Sequence, residues 1–108
     1  MAYKVLALDI DGTLTNSKKQ ITKRTKEAVA HAALKGVKIV IASGRPVQGI
    51  RAFADELELD KNDGYILSFN GGRLISCRTG EVIHDVKLPL EYLPEIYALS
   101  RKYNVNLM

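Results

Sequence analysis

The chain has 108 residues, 46% of them hydrophobic and 26% charged, which is enough for one small domain with its own core and excludes two. Its net charge of +4 comes from lysines and arginines spread along the chain, apart from a group at Lys18, Lys19, Lys23, Arg24 and Lys26. That group holds no aromatic residue, which favours a solvated loop and helix face over a nucleic-acid site. The lone cysteine, Cys77, excludes an internal disulfide and predicts a structural thiol in a reducing cytoplasm. The four apolar residues before Asp9 are too few for a signal peptide or a membrane span.

Val5-Leu6-Ala7-Leu8 is a near-continuous apolar run ended by a turn signal, which predicts a strand of a parallel sheet covered on both faces. Asp9 then stands at the strand's carboxyl end, where open α/β sheets bind their ligands. Asp11 follows two residues on, and an extended backbone over that step turns both carboxylates to one side. Gly12 permits a turn that a residue with a Cβ resists. Two carboxylates this close repel, so either a cation neutralises them or one keeps a proton. One can then attack an electrophile while the other handles a proton. Magnesium suits such a pair, because it takes one or two carboxylates together with substrate phosphate and waters. A solvated acidic turn or a calcium loop shares the D-x-D spacing. The calcium loop, however, wants Glu at its twelfth position, where this chain has Gln20, and a helix ahead of it.

Residues 15–20 read as a polar loop. Thr22 is a candidate helix cap, and Thr25, Ala28, Val29, Ala32 and Ala33 form a helical stripe stopped by Gly36. Residues 37–42 form a β-branched strand that runs directly into Ser43-Gly44-Arg45-Pro46. Pro46 suits a first helical position, and Val47, Ile50, Ala54 and Leu57 repeat at helical spacing after it. The Ser43 hydroxyl and the Gly44 N–H, near a helix start, can both donate to an anion, although a bland strand-to-helix turn looks the same. Residues 55–63 read as a helix end and connecting loop. A third strand over residues 65–69 meets Asn70-Gly71-Gly72, a turn in which Asn70 tolerates a left-handed backbone. Residues 73–76 and 81–84, joined through Arg78-Thr79-Gly80, read as a hairpin. His31 and His84 lack metal-ligand spacing. Leu93, Ile96, Tyr97, Ser100 and Tyr103 mark one face of a last helix with Pro94 in its first turn, and residues 105–108 begin another strand.

Two of these stretches carry a resemblance. Asp9-Ile10-Asp11-Gly12-Thr13-Leu14 resembles the first motif of the haloacid dehalogenase superfamily, and Ser43-Gly44-Arg45-Pro46 after a β-branched strand resembles the second motif of its Cof-like sugar phosphatase branch. The interval of 43 − 9 = 34 residues suits one strand-helix-strand crossover and leaves no room for a cap domain between the motifs. The resemblance implies an α/β fold: a Rossmann-like parallel sheet with flanking helices and a β-hairpin over residues 1–84, and the start of an α/β cap over residues 85–108. It implies Asp9 as a nucleophile that becomes an aspartyl phosphate and Asp11 as general acid and base, with Gly12 and Thr13 in support. Ser43, Gly44 and the Ile10 N–H would hold the phosphoryl group. Asn70 and Arg45 would meet the substrate, against a pure turn role for Asn70 and a surface ion-pair role for Arg45. Mg2+ would be held by the Asp9 carboxylate and the Asp11 backbone carbonyl.

The implied reaction is magnesium-dependent hydrolysis of a small phosphate monoester, a phosphosugar, in the cytoplasm, with neither nucleic acid nor membrane as partner. A phosphomannomutase-like phosphotransferase is the runner-up, disfavoured by the S-G-R-P turn. A non-catalytic interaction module with a residual phosphate pocket is the alternative from another class. The family's third motif, a lysine, and its acidic fourth motif come after the cap; Lys61, Lys87 and Lys102 are the only lysines after Ser43, and none has that context. The chain is therefore expected to be the front portion of a phosphatase, of low or no activity. Its first strand is expected to form an apolar edge that pairs with the missing portion or with a second copy.

Overall fold

The computed structural model describes residues 2–107. Strands β1 (Val5–Leu8), β2 (Lys38–Ala42) and β3 (Tyr65–Ser68) run parallel, connected by helices α1 (Lys23–Leu34) and α2 (Val47–Glu56). β4 (Arg73–Ser76) and β5 (Val82–Asp85) extend the same sheet antiparallel, in the order β1-β2-β3-β4-β5. Helix α3 (Leu93–Tyr103) follows the sheet.

The register sets which side chains enter the core. Leu6 and Leu8 stand opposite Ile39 and Ile41, and Ile41 stands opposite Ile66, so these residues share one face. Ile39, Ile41 and Ile66 are buried there against Val29 of α1, Ile50, Ala54 and Leu57 of the α2 region, and Leu59. On the other face Val40, Ala42, Tyr65 and Leu67 are only half-buried. Two right-handed crossovers taken in the same direction put both helices on one side of the sheet, and a 2.6 Å ion pair from Lys26 to Glu56 ties α1 to α2. The expectation that β1 is covered on both faces is therefore corrected. β1 is an edge strand whose Val5 is 57% exposed, and the helices cover a single face.

The ends of the elements follow local chemistry. Thr22 caps α1, its side-chain oxygen accepting the Thr25 N–H at 3.2 Å. At the other end Gly36, with φ +87°, donates to the Ala33 carbonyl while Val37 donates to that of Ala32, a Schellman stop. Pro46 lies one residue before α2, as its cap in an extended conformation, and not at the first helical position. β3 ends at Ser68, one residue early, because Phe69 and Asn70 both take left-handed backbones with φ 53° and 54°. The hairpin's second strand runs from Val82 to Asp85, one residue later than expected, after Gly80 makes its turn. Residues 105–107 form no strand. Asn104 turns left-handed at the end of α3 and the Val105 N–H is taken by the Ser100 carbonyl, while no neighbouring strand among the described residues offers a ladder; Met108 lies outside the described residues. The α3 stripe is helical as expected but uncovered: Leu93, Tyr97 and Tyr103 are exposed, and only Ser100 is buried.

Candidate active site

The three parallel strands end in three corners that meet. After β1, Ile10 and Leu14 are buried and pin a single wide turn, closed by Leu14 N–H to the Asp9 carbonyl and Thr15 N–H to the Ile10 carbonyl, both at 3.0 Å. Gly12 turns the chain with φ +78°. The apolar pair pulls the turn down, so Asp9 and Asp11 stay exposed. The Asp9 Oδ1 accepts its neighbour's Ile10 N–H at 2.8 Å, so in this arrangement that N–H serves the carboxylate.

After β2, the Ser43 N–H donates to the Leu67 carbonyl at 3.0 Å and continues the sheet one residue further. The Ser43 Oγ accepts the Arg45 N–H at 3.1 Å, which leaves its own proton to donate elsewhere. After β3, the chain doubles back onto this corner. Phe69 N–H donates to the Arg45 carbonyl and Asn70 N–H to the Ser43 carbonyl, both at 3.1 Å. A left-handed aromatic residue costs about 1–3 kcal/mol and persists only where its surroundings fix it. Here the two hydrogen bonds and the Arg73 guanidinium, 5.9 Å from the Phe69 ring, do so. The turn brings the Asn70 carboxamide so close to Gly44 that a Cβ there would lie 2.9 Å from Oδ1. Glycine at 44 leaves room for the Asn70 carboxamide in this position.

Together the corners form one cleft of about 410 Å³ at the carboxyl ends of β1, β2 and β3, lined by Asp9, Ser43, Gly44 and Asn70 over a floor of Ala42 and Leu67, with Gly71 at the side. Asp9 and Ser43, 34 residues apart in sequence, thus face the same space. Ala42, Leu67 and Gly71 are not candidates in the sequence, although the first and third adjoin residues that are, and Leu67 lies three positions before Asn70.

Asp11 does not line that cleft. Its carboxylate is taken by Arg45, with Nη2 at 2.8 Å from Oδ1 and 3.0 Å from Oδ2, and Nε at 3.3 Å from Oδ2. The Arg45 fork thus holds the Asp11 carboxylate beside the cleft that Asp9 lines, next to the Ser43-Gly44 corner. Of the two readings left open for Arg45, the ion pair is the one present here. Thr13 faces a second hollow of about 320 Å³ between β1 and α1, with Leu6, Leu8 and Val29. Asn70 is both a left-handed turn residue and part of the cleft wall.

Cys77 is half-buried against the core, and that burial pushes its thiol up to about 11, as befits a packing residue. Among the described residues no three His, Cys, Asp or Glu side chains gather as a metal cage. The hard oxygen donors at Asp9 and Asp11 fit an ion such as magnesium, which completes its shell with water and phosphate oxygens. Among the described residues no helix is long and apolar enough to cross a membrane.

A parallel βαβαβ core with an aspartate after its first strand and a hydroxyl-glycine corner after its second defines a Rossmann-like α/β domain with its ligand site at the strand ends. The chain belongs to the haloacid dehalogenase-like hydrolase family, whose pattern matches residues 6–108. It is 37% identical over 98 residues to YxeH of Bacillus subtilis, named as a candidate phosphatase, covering 91% of this chain and 36% of that one. Among solved structures it resembles a haloacid dehalogenase-like hydrolase from Bacteroides thetaiotaomicron, with TM-score 0.85, 42% identity, and coverage of 95% of this chain and 39% of the other. It also resembles BT4131, described as a subclass IIB sugar phosphatase, with TM-score 0.73, 32% identity and coverage of 93% and 38%. The chain thus spans well under half the length of these relatives.

Proposed function

We propose that the chain carries the nucleophile and phosphate cradle of a magnesium-dependent phosphatase that hydrolyses a small phosphate monoester through an aspartyl phosphate. The observation that supports this reading most is the cleft shared by Asp9, Ser43 and Gly44. In this reading an Asp9 oxygen attacks phosphorus, an O–P bond forms and the ester oxygen departs. Asp11 gives that oxygen a proton, then takes one from the water that cleaves the aspartyl phosphate and releases inorganic phosphate. The Ser43 O–H and Gly44 N–H donate to the phosphoryl oxygens, and such positioning and electrostatics supply most of the rate in phosphoryl transfer. The Asp9 carboxylate and Asp11 carbonyl would hold magnesium, which when bound offsets the negative charge between nucleophile and phosphate.

A phosphosugar is the substrate class we favour, on the likeness to a sugar phosphatase of subclass IIB. Turnover by this chain is expected to be low, since it offers no lysine in the third-motif context. A cytoplasmic setting accords with its single cysteine.

The test is magnesium-dependent hydrolysis of p-nitrophenyl phosphate, with Asp9→Asn expected to lower turnover by at least ~10³-fold. Should turnover be too slow to follow, beryllofluoride with magnesium mimics the acyl phosphate, and its bound 19F signal should vanish in Asp9→Asn. Hydrolysis, or a bound 19F signal, that survives the substitution would remove Asp9 from the mechanism.

A further inference from the structure

We propose that Arg45 is a positioning residue for Asp11, seated by Gly49 and Phe53 of α2, and that it does not bind the phosphate. The proposal rests on Asp11 as the proton-handling group of the reading above. Four observations on the arginine support it.

The first is how its donors are spent. A guanidinium has five N–H groups in a planar fork. Nε and Nη2 are turned to the Asp11 carboxylate, and Nη1 donates to the Gly49 carbonyl at 3.3 Å. The second is where the fork points. Arg45 contributes nothing to the wall of the cleft that holds Asp9, Ser43, Gly44 and Asn70. The third is how the stem is held. Positions 45, 49 and 53 recur at helical spacing, so Arg45 lies along the start of α2. A Cβ on Gly49 would come within 3.3 Å of the Arg45 Cβ and 3.4 Å of its Cδ. The Phe53 ring, itself packed against the core, lies 5.6 Å from the guanidinium carbon. The fourth is the backbone. Arg45 N–H holds the Ser43 Oγ, and its carbonyl accepts from Phe69, so the residue is fixed at both ends.

An ion pair with one partner this exposed adds little to stability, since its charges are largely solvated. Its value lies in geometry. Asp11 sits exposed directly before the Gly12 turn, and its carboxylate has no other side-chain partner among the described residues. An arginine whose own rotamers are locked by a helix, a ring and a carbonyl supplies the second layer that holds a proton-transfer group in place.

The test uses the intact chain and follows the Arg45 Nε–H in 15N NMR. The expected result is a protected Nε–H whose exchange accelerates at least tenfold in Asp11→Ala, and similarly in Gly49→Ala and Phe53→Leu. The backbone amide dispersion reports whether each variant stays folded. On addition of inorganic phosphate with magnesium chloride, the Ser43 and Gly44 amides should shift while Arg45 Nε–H stays where it was. In p-nitrophenyl phosphate turnover Arg45→Gln should lower kcat with KM unchanged, and Arg45→Lys should not rescue it, because a point-charge ammonium cannot span Asp11 and Gly49 together. An Nε–H indifferent to Asp11→Ala overturns the proposal, as does one that moves with phosphate. Silence of the Ser43 and Gly44 amides would count against the phosphate cleft instead. The Asp11 dependence of Nε–H still decides the pairing in that event.

Discussion

The space beside Gly44 is filled by the end of the Asn70 side chain. Gly44→Ala places a Cβ 2.9 Å from the Asn70 Oδ1, so the carboxamide must move or the two corners must part. The expected outcome is a stability change below about 1 kcal/mol, because the displaced atoms are the end of one side chain, with inorganic phosphate bound more weakly as the Asn70 wall of the cleft shifts. Urea unfolding and a phosphate titration check the two parts separately. Unchanged phosphate affinity would show that Asn70 does not need its present position. Asp9, Ser43 and Gly44 were legible in the sequence because each sits in a contiguous motif directly after an apolar strand, and strand ends are where such sheets gather ligand groups. The partner of Arg45 was not. It depends on where the Gly12 turn throws Asp11 and on a helix face formed by Gly49 and Phe53, which look like ordinary helix residues when read along the chain.

At the scale of elements, β2 tests whether one face or both faces of the sheet are covered. Ile41 is fully buried beneath the helices, whereas Val40 points to the half-open face. Ile41→Ala should cost about 2–5 kcal/mol. Val40→Ala should cost less than about 1.5 kcal/mol, because that side chain is only partly buried. Denaturant midpoints of the two variants measure the asymmetry, and equal costs would contradict it. The sequence could not have shown this. In Val5-Leu6-Ala7-Leu8 every position is apolar, so no alternation distinguishes the covered face from the open one. By contrast the limits of α1 were readable, since Thr22 and Gly36 act through their own local hydrogen bonding and need no distant partner.

For the whole molecule, acid should release two weak ties, one between β2 and the segment before β3 and one between β4 and β5. The Lys38 ammonium beside Asp63 holds that carboxyl below its ordinary 3.8, mainly through their hydrogen bond, and Arg73 does the same for Asp85. A lowered pKa means the folded chain binds fewer protons than the unfolded chain in this range. The contribution is complete above the unfolded value near 3.8 and is lost as pH falls through the lower folded values. Urea midpoints should therefore stay level for these pairs from pH 7 to 5 and drop by pH 3. Asp63→Asn should blunt the drop, and it keeps a residue that tolerates the φ of 57° found there. A drop of equal size in that variant would assign the acid sensitivity elsewhere. The two hydrogen bonds that the Phe69 and Asn70 N–H groups donate to the Arg45 and Ser43 carbonyls have a mechanical meaning as well. They tie the turn between β3 and β4 to the Ser43 corner, so a strain that shifts this turn is passed through backbone, with no side chain between, to the cleft wall at Ser43.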